Sequence, residues 1–215
     1  MPCAEPAKAR RVGTHIRSIT GNESLSYDVK VDAPLQRIEV KACPNGFRIE
    51  RLNAPSPGAQ RWLERGRVIS PEGEYRCPDE GVDLPSIKPD ECVRYTVNLP
   101  EKSVDPTSVR RAGRDLLASP DAWLWVPTPR PLGLRIQAHF TLPDGVVAAT
   151  PWPTTSRRPF ELERERRDTA DSGVDFSIPE TAFAWKATGA FSRSALEPLA
   201  VPGGTLRLAT LGDGF

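Results

Sequence analysis

Hydrolytic chemistry starts most often from histidine, and this chain has two, His15 and His139. His15 is followed by IRSI and His139 by FTLP. Neither opens the H-E-x-x-H pattern, in which two imidazoles one helical turn apart hold zinc and the glutamate serves as base. His139 falls on the polar side of an alternating segment, where a solvated imidazole is the ordinary outcome. The G-x-S-x-G turn that lifts a nucleophilic serine is absent. So are the glycine-rich loops that cradle phosphates; Gly203-Gly204 in VPGGTL reads as a turn. Two carboxylates could cleave a glycoside, and 28 acidic residues leave that open, but such a pair is defined by its separation in space. Asp144 belongs to a turn, and Glu161, Glu163 and Glu165 to a solvated charge run. No residue is nominated as catalytic or metal-binding, and no cofactor is implied.

Four cysteines, Cys3, Cys43, Cys77 and Cys92, form no C-x-x-C pair, so zinc-ribbon spacing is missing. Cys77 and Cys92 bracket PDEGVDLPSIKPDE, a loop whose closure by a disulfide stabilises by about 3 kcal/mol. Cys3 and Cys43 are then paired by elimination. The competing reading is four buried thiols in a cytosolic protein. Disulfides favour an exported mature chain, periplasmic or extracellular, although MPCAEPAKARR lacks the apolar stretch of a signal peptide. No apolar run is long enough for a membrane-spanning helix. With 29 basic and 28 acidic residues, no bulk field draws the chain to nucleic acid.

These side chains ride on strands. In LSYDVKVD, Leu25, Tyr27, Val29 and Val31 face one way and Ser26, Asp28, Lys30 and Asp32 the other. Ile38, Val40 and Ala42 repeat the pattern, CPNG turns the chain, and Phe47 and Ile49 begin a return strand. The proline- and glycine-punctuated stretch 54–89 suggests short strands and loops. CVRYTVNL restores the alternation. Asp105 and Pro106 then suit a helix start, and Val109, Ala112, Leu116 and Leu117 an apolar stripe, which predicts a helix of about three turns ending near Ser119. Leu134 to Leu142 and Val146 to Thr150, joined by PDG, predict a hairpin. VDFSI, AFAWKA and TLRLAT add three strands.

The stretch DAWLWVPTPRP is apolar on both sides, with Trp123 and Trp125 facing one way and Leu124 and Val126 the other. That predicts a core strand rather than an aromatic platform for a ligand. Pairing should stop at Pro127, Pro129 and Pro131, which cannot donate to a ladder. Trp152, held between prolines, is expected over a sheet edge. The sum is an all-β fold: an antiparallel β-sandwich or large curved sheet of about ten short strands with one short helix. Residues 1–24 would form an N-terminal arm and 25–215 a single β-rich domain, with a possible sub-boundary near 100–120.

In series, LSYDVKVDAPLQRIEVKACPNG, CVRYTVNL, DAWLWVPTPRPLGLRIQAHFTLPDGVVAATPWP and VPGGTLRLATLGDGF resemble the β-rich N-terminal domain of glycyl-aminopeptidase-like gluzincin metallopeptidases. The resemblance runs from about Leu25 onward and rests on strand order: Y-x-V-x-V, Y-T-V, a tryptophan-bearing segment and a P-W-P turn. It implies a partner, a C-terminal peptidase-like domain that is missing from this chain and carries the zinc and the catalytic glutamate. No catalytic or metal residue transfers to any position here. The chain would then be a non-catalytic piece of an exported peptidase that supports the catalytic domain and shapes its substrate cleft. One sheet face should accordingly be unusually apolar, ready to dock. Two other readings stand beside it: a free-standing exported binding module for carbohydrate or protein, and a self-sufficient enzyme. Oligomeric state is not legible.

Overall fold

The computed structural model describes residues 23–54, 63–76, 81–89, 91–99, 109–150, 152–153, 155, 173–178, 189–192, 197–202 and 204–208. These residues form an all-β fold of sixteen strands. The largest sheet has seven: β1 (Ser24–Val31), β2 (Arg37–Asn45), β4 (Leu63–Ser70), β5 (Gly73–Arg76), β7 (Val93–Asn98), β11 (Arg135–Thr141) and β13 (Val174–Ile178). Their spatial order is β13-β11-β1-β2-β7-β4-β5. A three-stranded sheet runs β10 (Val126–Thr128), β3 (Ile49–Asn53), β6 (Val82–Ile87). A four-stranded sheet runs β12 (Val147–Ala149), β14 (Gly189–Ser192), β9 (Asp115–Ala118), β8 (Val109–Ala112). A separate ribbon pairs β15 (Glu197–Val201) with β16 (Gly204–Leu208).

The alternation in β1 is realised residue by residue: Leu25, Tyr27, Val29 and Val31 are buried and Ser26, Asp28 and Lys30 exposed. The registers Tyr27↔Ala42, Val29↔Val40 and Val40↔Tyr95 place these apolar sides on one inner face. Such a face hides its apolar rows and leaves its polar rows in water. Its far side bears Arg37, Glu39, Arg94, Asn98, Arg135 and Gln137, all exposed. The expected apolar docking face is therefore not the outer side of this sheet. Among the described residues the large apolar side chains left in water are Ile69, Leu132 and Leu199, on three separate elements.

Four expectations about partnership are corrected. The segment 109–118 is a hairpin and not a helix: Val109 pairs with Ala118 and Ala112 with Asp115. Gly113, with φ 57°, makes the first central position of a two-residue turn. Asp105 and Pro106, the proposed cap, lie outside the described residues. The return strand after CPNG does not pair with its predecessor; β2 lies between β1 and β7, while β3 joins β10 and β6. Likewise β11 and β12 part company after the Pro143–Gly145 turn, β12 crossing to β14 in the four-stranded sheet. Finally, β1 and β11 run parallel, so the array is not antiparallel throughout.

Trp123 and Trp125 are in the core but not in a strand. A single 3-10 turn, Pro120–Ala122, precedes them, and β10 begins only at Val126. Pro127, expected to end pairing, sits mid-strand opposite Leu52 on β3. An edge position tolerates it, because its missing N–H would have faced away from the ladder. The Thr128–Pro129 bond that follows is cis.

The disulfide is also redrawn. Cys43 bonds to Cys92, 49 residues on, with Cα atoms 4.3 Å apart. The register explains why: Lys41 faces Arg94 and Ala42 faces Val93, so the next step along β2 and β7 brings Cys43 opposite Cys92. A cross-strand pair at that Cα spacing is what a non-hydrogen-bonded antiparallel position offers. Cys77 therefore does not pair with Cys92, nor Cys3 with Cys43; Cys3 and Cys77 lie outside the described residues.

Candidate functional site

The described part of the chain holds two polar arrangements worth testing for chemistry, one buried and one open. The buried one is made by Tyr27 and Tyr95, which replace aliphatic residues in the inward rows of β1 and β7. Burying a phenol strands its hydroxyl unless a partner is supplied. The irregular backbone of 123–125 supplies it. Tyr27 donates to the Trp125 carbonyl at 2.8 Å. Tyr95 donates to the Trp123 carbonyl at 3.1 Å and accepts the Trp125 N–H at 3.0 Å. Two side chains thus satisfy three backbone groups of a segment that has no ladder there.

Both phenols resist ionisation. Burial raises the Tyr27 pKa well above the usual value, Tyr95 adds to the shift, and the Arg130 guanidinium opposes it. Burial likewise raises Tyr95, with the Trp125 N–H pulling the other way. Neither hydroxyl is a general acid or base near neutrality. Around them lies an aromatic core: Trp123 meets Phe140 at 5.8 Å and Trp152 at 6.4 Å, and Phe140 meets Phe176 at 5.3 Å and Phe191 at 6.0 Å. Phe140 on β11 and Phe191 on β14 thereby join the seven- and four-stranded sheets. Trp123 is 2% exposed and Trp125 0%, so neither lines a groove. Trp152 is also buried, packed on Trp123 and Phe176.

The open arrangement surrounds His139. On the outer face of β11 its Nδ1 lies 2.7 Å from Asp175 Oδ1, directly opposite on β13. A histidine–carboxylate pair orients an imidazole for proton transfer, yet general-base work needs a substrate held against it. This pair stands on a sheet face beside Asp28 and Lys41. No three histidine, cysteine or acidic side chains among the described residues come together as a metal site. Asp144 stays in its turn, with the Val146 N–H closing onto the Pro143 carbonyl at 3.0 Å. His15, Glu161, Glu163 and Glu165 lie outside the described residues.

Sequence reasoning missed the tyrosine clasps and the Asp175 partner of His139. The first had a signal: a lone tyrosine inside an aliphatic row implies a buried hydroxyl in need of a partner. The second had none, because only the register brings Asp175 to His139.

The fold, by contrast, is a known one, seen in an aminopeptidase N family protein. Over 84% of this chain it matches a crystal structure of an aminopeptidase N family protein from Idiomarina loihiensis, with TM-score 0.59 and 14% identity. The match takes up 31% of that chain. Two structures of an M1 zinc metallopeptidase from Deinococcus radiodurans, one bound to a Tyr-Ser-Ala substrate, are matched over 86% of this chain and 45% of theirs. Their identities are 13% and 14% and their TM-scores 0.40 and 0.38. This chain thus spans less than half the length of the solved structures it resembles. The resemblance drawn from the strand series holds at the level of fold. No family model matches the sequence, and no curated protein matches it.

Proposed function

We propose that this chain is a non-catalytic N-terminal β domain of an exported metallopeptidase-like protein, supporting a separate catalytic domain and shaping its substrate cleft. The observation that carries the reading is the asymmetric coverage: 84% of this chain corresponds to 31% of an aminopeptidase N family protein. A domain that accounts for about a third of a peptidase is one layer of it, to be completed by other domains. The division into an arm over 1–24 and one β-rich domain over 25–215 belongs to the same proposal. The Cys43–Cys92 bond supports an oxidising compartment. The alternative, a binding module with an aromatic platform, loses Trp123, Trp125 and Trp152 to the core.

The test is an aminopeptidase assay on the purified chain with added zinc, beside a reading of the gene for a downstream H-E-x-x-H helix. No turnover from the chain, and that helix encoded in frame, are expected. Turnover by the chain that a chelator abolishes would overturn the proposal, as would a gene that encodes nothing further.

A further inference from the structure

One row of side chains crosses the outer face of the seven-stranded sheet: Asp175, His139, Asp28, Lys41, Arg94, Ile69. At its β13 end the imidazole of His139 lies directly over Gly173, where an added Cβ would collide with Cε1 and Nε2. The ring is thus seated on a glycine just before β13 and aimed at a carboxylate two residues further along the chain. From this geometry we propose a proton-operated latch: Gly173, His139 and Asp175 fasten β13 to the sheet more tightly when the imidazole is charged.

β13 is a short strand on which much converges. It is held to β11 by a five-residue ladder. On its other side the Thr155 N–H donates to the Asp175 carbonyl at 3.0 Å and the Ser177 N–H to the Pro153 carbonyl at 2.9 Å. Inward it delivers Phe176 to Phe140 and Trp152. Releasing β13 therefore opens the aromatic core at its edge.

Neutral His139 can donate one N–H to Asp175; protonation keeps that bond and adds a charge. Among the described residues, carboxylates face the ring from both neighbouring strands, Asp175 on β13 and Asp28 on β1. The described cations near it in register are Lys41, Lys30 and Arg135. Lys41 is on β2, 3.5 Å from Asp28; Lys30 is opposite Thr141; Arg135 is four residues back on β11. Trp152, Pro153 and Thr155 bring no charge. A charged imidazole strengthens the 2.7 Å contact to Asp175, so the added stability is present on the acid side of the histidine titration and is lost as pH rises through it. Side chains 31% and 55% exposed keep the effect modest.

Hydrogen exchange of the full chain tests this, with intrinsic rates divided out. Protection of the Ser177 amide and its β13 neighbours should rise up to about fivefold between about pH 8 and about pH 5.5, while β7 amides stay level. H139Q should flatten that rise. D175N keeps an oxygen to accept the imidazole N–H but carries no charge, and should flatten it too. A flat profile in the unmodified chain, or an unchanged rise in H139Q, overturns the latch.

Discussion

Tyr95 uses its hydroxyl twice and Tyr27 once, on the same stretch of irregular backbone. Replacing Tyr95 by Phe strands a buried N–H and a buried carbonyl, and replacing Tyr27 strands one carbonyl. Each abandoned group costs about 1–3 kcal/mol, so Tyr95→Phe should destabilise more than Tyr27→Phe in urea titrations at neutral pH. At high pH the order of consequences changes. The folded phenols hold their protons well above the usual range, while the unfolded ones release them near pH 10. Above about pH 10 the unfolded state therefore binds fewer protons, and stability, fully present below that pH, falls as pH rises. The slope should approach about 1.4 kcal/mol per pH unit for each tyrosine, and each Phe variant should remove one such share. A pH-independent midpoint through that range would contradict the burial of both hydroxyls.

At the scale of elements, the segment 109–118 shows how a helical stripe and a hairpin can share a sequence. Val109, Ala112, Leu116 and Leu117 fit a helix by spacing, yet folding back at Gly113 also brings Val109 beside Ala118 and Arg111 beside Leu116. Arg111, on the same side as the buried Val109, finds the Leu35 carbonyl at 2.7 Å, a partner no periodicity could announce. Gly113→Ala separates the two geometries by sign. In a helix interior it would stabilise by roughly 1 kcal/mol; at φ 57° it should destabilise by roughly 1–2 kcal/mol, measured as a lowered urea midpoint. What was legible followed from local pattern: the in-and-out faces of β1, β2, β7 and β11, the existence of β13, and the burial of Trp123 and Trp125. What was not legible was partnership. Nothing within β2 or β3 says that they enter different sheets, because the choice is made by long-range burial of both apolar faces. The disulfide fell to the same cause: loop spacing favoured Cys77 with Cys92, and the β2–β7 register put Cys43 there instead.

For the molecule as a whole, the distribution of apolar surface bears on whether this chain can stand alone. A layer cut from a larger protein ordinarily exposes the surface it loses, as the docking expectation supposed. Here the broad outer face is polar, with charges of both signs interleaved: Arg37 with Glu39, Lys41 with Asp28, Arg67 with Glu74. The three exposed large apolar side chains among the described residues are scattered, which is ordinary for a monomer surface. Meanwhile the inward rows of the seven-stranded sheet, the Trp123–Trp125 segment and Phe191 of the four-stranded sheet belong to one continuous core. We predict that a chain with these described faces carries its own stability and folds without a second copy. Its urea midpoint should accordingly stay constant over a roughly hundredfold range of protein concentration, whereas an obligate dimer's would climb with concentration. Sedimentation at the upper end of that range should give the mass of one chain, 23.6 kDa. A midpoint that climbs, or a doubled mass, would mean that self-association covers a face these strands leave in water, and the proposed docking to a catalytic domain would then have to compete with that self-association.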